Sequence, residues 1–414
     1  MTVELITIGA ELLSGHTLNT NALYVGDQLA KVGLTLARQI AIPDDHDVIV
    51  EAIRESLARA DWVIVSGGLG PTNDDVTKKA IARVFDRPLI FHQDILDNLK
   101  ARFARAKRPI SALLDTQALQ PRDAEFIPNA VGTALGIILS DKGRTLIAVP
   151  GVPREMQPMI ADHIVPRIAE QARVTTQTIT WSTAGWTESR LYETLEPLLE
   201  KHADVSVAFL PSALGVRVRF AASGADATRL LNPFTEEARI LIGPAVYAEE
   251  DIGLEAVIGR LLTERQMTLA LAESCTGGLI AKRLTDVPGA SAYVVAGYVT
   301  YANEAKTDLL GVDPELIAAQ GAVSEPVARA MADGALRRSG ADCTIAVTGI
   351  AGPDGGTEEK PVGTVWLASA IKGRETETKE IHLLGNRQMI RLRASQAALN
   401  MLRLRLLNQT TGDW

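Results

Sequence analysis

The feature that most constrains the fold is an alternation: short β-rich runs end in glycine turns and hand over to helical patterns. VELITIG, residues 3–9, leads to LNTNALYVGDQLAKVG, a capped helical pattern that closes on Gly33. TLARQIAIP, DVIVEAIRESLARA and DWVIVSGGLG then read as strand, helix, and strand into glycine turn. Such alternation builds a parallel sheet with helices on both faces. The first α/β domain is expected over residues 1–170, closing with GRTLIAVPGVPREM and the helix PMIADHIVPRIAEQ.

From about residue 174 to 250 the pattern changes. TTQTITWST, the helix SRLYETLEPLLEKH and the strand GVRVRFAAS, where apolar residues alternate with arginines, indicate a small α+β module whose sheet has one wet face. From 253 to 414 the alternation resumes through TLALAES, AYVVAGYVTY, ADCTIAVTGIAG and VGTVWLASAI, and ends in a long helix. The expected class is therefore α/β: two three-layer α/β/α domains joined by a small α+β module. A chain of 414 residues, 46% hydrophobic and 22% charged, has the length and composition to fill such cores.

A formal charge of -8 argues against a nucleic-acid partner. KARFARAKR, residues 100–108, reads as a solvated helix face. Glu4 stands where a secretory signal would carry lysines, and no apolar run is long enough for a bilayer, so the expectation is a cytoplasmic protein without a membrane partner. The only two cysteines, Cys275 and Cys343, exclude a disulfide framework and a Cys-rich zinc site.

SGGLGPTNDDVTKKA, residues 66–80, lies where a strand passes into a helix. Glycines let backbone approach a ligand, and the amides that open a helix attract an anion such as phosphate. Asp74 and Asp75 either hold a divalent cation against phosphate oxygens or cap the helix. The loop lacks the Walker lysine and the dinucleotide glycine spacing.

LALAESCTGGLIAKRL, residues 269–284, puts Ser274 at a second strand-to-helix turn. Ser274 is either a helix cap or a nucleophile. Of the histidines, only His382 belongs to this domain, so a Ser-His-Asp triad is poorly supported. A lysine of lowered pKa or a tyrosine is the remaining base, and TYANEAK supplies Tyr301 and Lys306. Their plainer readings are a half-buried strand-end tyrosine and a surface lysine. Cys275 is the rival nucleophile. Thr348, Gly349 and Gly352 form another turn suited to an anion, and Arg387 precedes the last helix, where a guanidinium clamps phosphate.

GAELLSGHTLNTN, the 66–80 loop, NAVGTALG at 129–136 and PGVPREM at 150–156 together resemble the amino-terminal domain of the competence/damage-inducible protein A (CinA) family, which is similar to the MoaB/MogA molybdopterin-binding fold. AESCTGG, VTYANEAK, GAVSEP, TGIAGPDGG and KPVGTVW resemble its carboxy-terminal domain, the nicotinamide-nucleotide amidohydrolase family. The resemblance covers nearly the whole chain.

The resemblance implies hydrolysis of the carboxamide of nicotinamide mononucleotide to nicotinate mononucleotide and ammonia, with no cofactor. Ser274 is then the nucleophile, with Tyr301 and Lys306 managing its proton, and Thr348 and Arg387 contact the substrate. The turn of Thr276, Gly277 and Gly278 serves either the oxyanion or the 5'-phosphate. In the amino-terminal domain it implies a nucleotide-type ligand and, in some members, an ADP-ribose pyrophosphatase that uses a divalent metal, with or without a monovalent cation. The ligand residues would be Glu11, Asn21, Gly67, Gly68, Gly70, Thr72, Asp74, Pro150, Gly151 and Glu155. This sequence departs from the pattern at Leu135, where proline is usual, and at Asn19, where many relatives have aspartate. The middle module resembles the family's KH-like unit but lacks the G-x-x-G loop of RNA binders, which makes it a connector. A homodimer is implied as well. The competing functions are a nucleotide-binding regulatory protein without turnover, linked to competence or DNA damage, and a molybdopterin-handling enzyme.

Overall fold

A computed structural model describes residues 1–72, 75–107, 109, 114–172 and 176–409. It divides into two compact units, residues 1–178 with 223–225, and residues 179–222 with 226–414.

The first unit is built on a six-stranded sheet. In spatial order its strands are Leu36–Ile42, Val3–Ile8, Trp62–Ser66, Arg144–Val149, Gly136–Asp141 and Glu125–Ile127. The first four run parallel. Alternate residues feed opposite faces, as the period of a strand requires. Ile6, Val63 and Val65 pack with Ile49 and Ile53 on one side, whereas Leu5 and Ile64 pack with Val25, Leu29 and Ile160 on the other.

A purely parallel sheet is not what forms. The last two strands are antiparallel, because Lys142 and Gly143 both take positive φ, 49° and 79°, and close a two-residue hairpin between Asp141 and Arg144. Helix Gln93–Arg105 is buried only along Ile95, Leu96 and Leu99, which leaves Lys100, Arg105 and Lys107 in solvent; Arg108 of that basic stretch lies outside the described residues.

The second unit begins with a four-stranded sheet in the order Ser206–Ser212, Gly215–Ala222, Gln177–Thr183, Val246–Ala248. Val216, Val218 and Phe220 face helices Glu188–Lys201 and Ala227–Ile242, and the intervening arginines face away, so the alternation has its wet face.

The remainder is a five-stranded sheet ordered Val294–Val299, Leu269–Glu273, Cys343–Gly349, Thr364–Ile371 and Glu377–His382. The first three strands are parallel and the last two antiparallel. Leu269, Leu271, Ile345 and Val347 meet helix Arg387–Leu406 on one face. The other face presents Ala272, Ala346, Ala368 and Ala370, small enough for the alanine-rich helix Glu325–Ser339 to lie against it. The carboxyl ends of three parallel strands thus open on one edge, where α/β sheets place their ligands. Among the described residues, no helix is long and apolar enough to cross a membrane.

Candidate active site

Ser274 directly follows strand Leu269–Glu273 of the second α/β sheet, and its amide donates to Val347 O at 2.9 Å, which continues the sheet pairing by one residue. The chain then turns through Gly277 and Gly278, whose φ values of 59° and 85° a side chain would strain. Helix Leu279–Thr285 follows. Glu273, 1% exposed, places its carboxylate beneath that helix and accepts from Ile280 N at 3.1 Å and Ala281 N at 2.8 Å. The helix is therefore capped by Glu273 rather than by Ser274, which leaves the serine hydroxyl for another task.

That hydroxyl faces Lys306. Lys306 Nζ lies 3.3 Å from Ser274 Oγ and also donates to the carbonyls of Thr300 at 2.9 Å and Tyr301 at 3.2 Å. The side chain is 1% exposed. Burial pushes its pKa below the ordinary lysine value, with Glu304 pulling the other way. The surface-lysine reading does not hold. Lys306 sits in helix Asn303–Leu310, one turn beyond the carbonyls that it meets.

Tyr301 lies just past a strand end with its side chain exposed. Strand Val294–Val299 alternates, with Val295 and Val299 exposed; the pattern runs on so that Thr300 is buried and Tyr301 is 57% exposed. The Tyr301 hydroxyl accepts from Arg387 Nη2 at 2.7 Å, and Arg387 Nη1 donates to Gly352 O at 2.7 Å. Arg387 thus ties the 301 and 352 loops together at the rim. Its own position is set by Asn386, whose Oδ1 accepts from Met389 N at 3.0 Å and caps the last helix.

Thr348 is buried on the neighbouring strand with its hydroxyl donating to Ala322 O at 2.8 Å, and Gly349 packs on Val365. Among the described residues neither makes a hydrogen bond to Ser274. One further group is new. Arg391, a helical turn after Arg387, donates from Nη2 to Thr276 O at 2.7 Å and crosses over Gly277. Thr276 Oγ1, Thr300 Oγ1 and Arg391 Nε are buried with no partner among the described residues, so polar capacity is in reserve around the serine. Cys275 is buried, and burial pushes its thiol up to about 12, far from a thiolate.

The first unit has a separate cavity of about 540 Å³ at the carboxyl ends of its parallel strands. Glu11, Asn21, Gly67, Gly68, Gly70, Pro150, Gly151 and Glu155 all line it. At Gly67, φ is 121° and a Cβ would stand 2.4 Å from Ile8 O. Asn21 Nδ2 bridges Ser66 Oγ at 2.9 Å and Gly151 O at 2.7 Å, while its Oδ1 has no partner among the described residues. Glu155 accepts from Asn129 Nδ2 at 2.8 Å, and Asn129 Oδ1 collects the amides of Val131 and Gly132. Asn129 therefore holds the 129–136 loop that contains Leu135. Asn19 caps helix Thr20–Lys31 and donates to Thr7 Oγ1 at 2.9 Å, a bond that an aspartate could not make.

Asp74 lies outside the described residues. Asp75 braces its own loop: its carboxylate accepts from the amides of Gly70 and Thr72, each at 2.8 Å, and from the Thr72 hydroxyl. Among the described residues no group of three or more His, Cys, Asp or Glu side chains is placed for a metal. Lys78 is the residue that the motif reading missed. It is buried under the loop, donates to Thr116 O at 2.7 Å, and is pushed down to about 8 by burial.

The fold and the two sites define a chain that joins a molybdopterin-binding-type α/β domain to a KH module and a second α/β domain. Family models agree in that order: the probable molybdopterin binding domain matches residues 4–170, the damage-inducible protein CinA KH domain 178–248, and the CinA C-terminal domain 251–406. The chain is 44% identical over 424 residues to a putative competence-damage inducible protein of Symbiobacterium thermophilum, covering 98% of this chain and 99% of that protein. It is 42% identical over 421 residues to a CinA-like protein of Gemmatimonas aurantiaca, covering 100% and 98%. A solved competence/damage inducible protein from Agrobacterium tumefaciens is 46% identical over 38% of this chain and 96% of its own, with a TM-score of 0.36. The chain belongs to the CinA family.

Proposed function

We propose that the second α/β domain is an amidohydrolase acting on the carboxamide of nicotinamide mononucleotide, with Ser274 as nucleophile and Lys306 as its base. The observation that carries this reading is the buried lysine amine 3.3 Å from the serine hydroxyl, held where burial favours the neutral form that can take a proton.

Neutral Lys306 accepts the Ser274 proton as Oγ bonds to the amide carbon. The tetrahedral intermediate then breaks its C–N bond, the leaving nitrogen takes that proton from Lys306, and ammonia departs. Water attacks the resulting ester, gives a proton to Lys306, and the acid leaves as Ser274 is reprotonated. Glu273 occupies the amides of Ile280 and Ala281, and Gly277 N is engaged by Ser274 O. The turn therefore has Thr276 N and Gly278 N to offer the oxyanion. Tyr301 and Arg387 act at the rim, where the guanidinium is suited to the substrate phosphate.

Incubation of the protein with nicotinamide mononucleotide, with both products quantified, tests this reading. Equal amounts of ammonia and nicotinate mononucleotide support it; ammonia-free incubation favours the regulatory nucleotide-binding reading.

For the first unit we infer a nucleotide-type ligand such as ADP-ribose, supported by the cavity and the unpartnered Asn21 Oδ1. Calorimetric titration with ADP-ribose checks it, and binding of a pterin in its place favours the molybdopterin-handling reading.

A further inference from the structure

The turn that carries Ser274 has conformational freedom built into it. Gly277 and Gly278 lie at φ 59° and 85°, and glycine accepts more than one orientation of the peptide beside it at little cost. The peptide between Thr276 and Gly277 joins the two amides left for the oxyanion, Thr276 N and Gly278 N, so its orientation sets their separation and aim. Two backbone bonds hold it: Gly277 N donates to Ser274 O at 3.0 Å, and Leu279 N to Thr276 O at 3.2 Å. Both lie inside the segment that would move.

The restraint from outside is Arg391. Its Nη2 donates to Thr276 O at 2.7 Å, the shortest of the three bonds and the one assisted by charge. The guanidinium crosses Gly277 so closely that a Cβ there would stand 3.1 Å from Nη2. Glycine is thus required at 277 for room as well as for its backbone angle. Arg391 makes no ion pair among the described residues, so its charge falls on the Thr276 carbonyl undivided.

The base from which Arg391 reaches is rigid. One turn earlier on the same helix face, Arg387 donates to Gly352 O at 2.7 Å. Arg283, 6% exposed in the helix that follows the serine turn, donates to Ser395 Oγ at 2.8 Å and Gln396 Oε1 at 2.7 Å on the last helix. The two helices are therefore locked together, and the reach from Arg391 to the turn is set.

We infer that Arg391 is a positioning residue for the proposed hydrolysis: it pins the Thr276–Gly277 peptide so that the neighbouring amides face the oxyanion as it forms. The inference rests on the hydrolase reading above. Its role is separate from that of Lys306, which acts on the serine proton, and from that of Arg387, which acts at the rim. The oxyanion exists only in the transition states and tetrahedral intermediates, so the effect of Arg391 belongs to turnover rather than to substrate binding.

The test is steady-state ammonia release from nicotinamide mononucleotide by the full chain, by Arg391→Met and by Arg391→Lys, each with a matched thermal melt. Arg391→Met should lower kcat by about a hundredfold, the scale of one lost oxyanion donor, with KM within about threefold of the parent. Arg391→Lys keeps the charge and the stem without the planar fork, and should recover part of kcat at the parent's KM. The lysine variant decides the matter if the methionine variant fails to fold. The pH profile of kcat/KM should keep its midpoint, because Lys306 answers to burial, Cys275 and Glu304 and not to Arg391. An active parent with Arg391 variants of unchanged kcat, a raised KM at constant kcat, or a shifted midpoint overturns the inference and leaves the hydrolase reading standing. A parent that releases no ammonia overturns both.

Discussion

Lys306 reaches Ser274 across 32 residues of sequence, Nζ to Oγ at 3.3 Å, with the amine held by the carbonyls of the strand end it follows. Two loops from adjacent parallel strands are all that is needed to bring them together. Because the lysine is buried, its charge state rather than its mere presence decides what the serine can do.

Replacing Lys306 by methionine keeps the stem and removes the amine. Ammonia release from nicotinamide mononucleotide should fall by about a thousandfold, within the range for loss of a positioned base. Steady-state assays with a matched thermal melt check this, and a variant that melts like the parent yet keeps its rate contradicts the assigned role.

The same lysine sets the pH profile. Burial lowers its pKa, and the neutral amine is the active form. The value of kcat/KM should rise with pH through that lowered pKa and level off before the ordinary lysine value of 10.5. A profile flat from acid to alkaline pH speaks against Lys306 as the base.

Cys275 should be a bystander. Its thiol, pushed up to about 12 by burial, resists iodoacetamide in the folded protein at neutral pH, and Cys275→Ala should retain the wild-type rate. Rapid alkylation with loss of activity would reverse the choice of nucleophile.

Lys78 gives the first unit a pH-dependent stability. Its folded pKa of about 8 lies below the 10.5 of a free lysine, so between these values the unfolded chain binds more protons. Stability should therefore rise from about pH 8 to about 10.5 and be lowest once the pH falls below 8. Urea unfolding of the full chain across this window, beside Lys78→Met, reads the effect; the variant should lack the rise.

Glu273 holds the nucleophile turn by capping the next helix. Glu273→Gln leaves one acceptor for two amides and should destabilise the protein by about 1–3 kcal/mol. Activity should fall beyond what stability explains, because the serine turn is no longer pinned. Thermal melts and turnover measured on the same sample separate the two effects.

The strand-to-helix turns were legible because their signal is local: LALAES is an unbroken buried strand, and two glycines mark the turn. Ser274, Tyr301 and Lys306 were legible together by motif; that Lys306 is the one buried against the serine was not, since it depends on how helix Asn303–Leu310 packs after the strand. The antiparallel strands in both sheets escaped the parallel reading because short hairpins such as Lys142-Gly143 carry a weak signal between apolar runs. Glu273 was hidden by its position in a buried strand, where its carboxylate is satisfied by amides seven and eight residues later. Arg391 had a visible cue, its spacing four residues after Arg387 on one helix. The helix-cap alternative for Asp75 does not hold: helix Thr77–Val84 has no side-chain cap, and the Asp75 carboxylate turns back to the amides of Gly70 and Thr72 and the Thr72 hydroxyl, contacts that the sequence pattern does not show.

The most direct measurement is ammonia release from nicotinamide mononucleotide by the intact protein, by Ser274→Ala and by Cys275→Ala, in parallel. The account predicts release by the intact protein and by Cys275→Ala, and none above background by Ser274→Ala. Undiminished release by Ser274→Ala, or none from the intact protein, would contradict it.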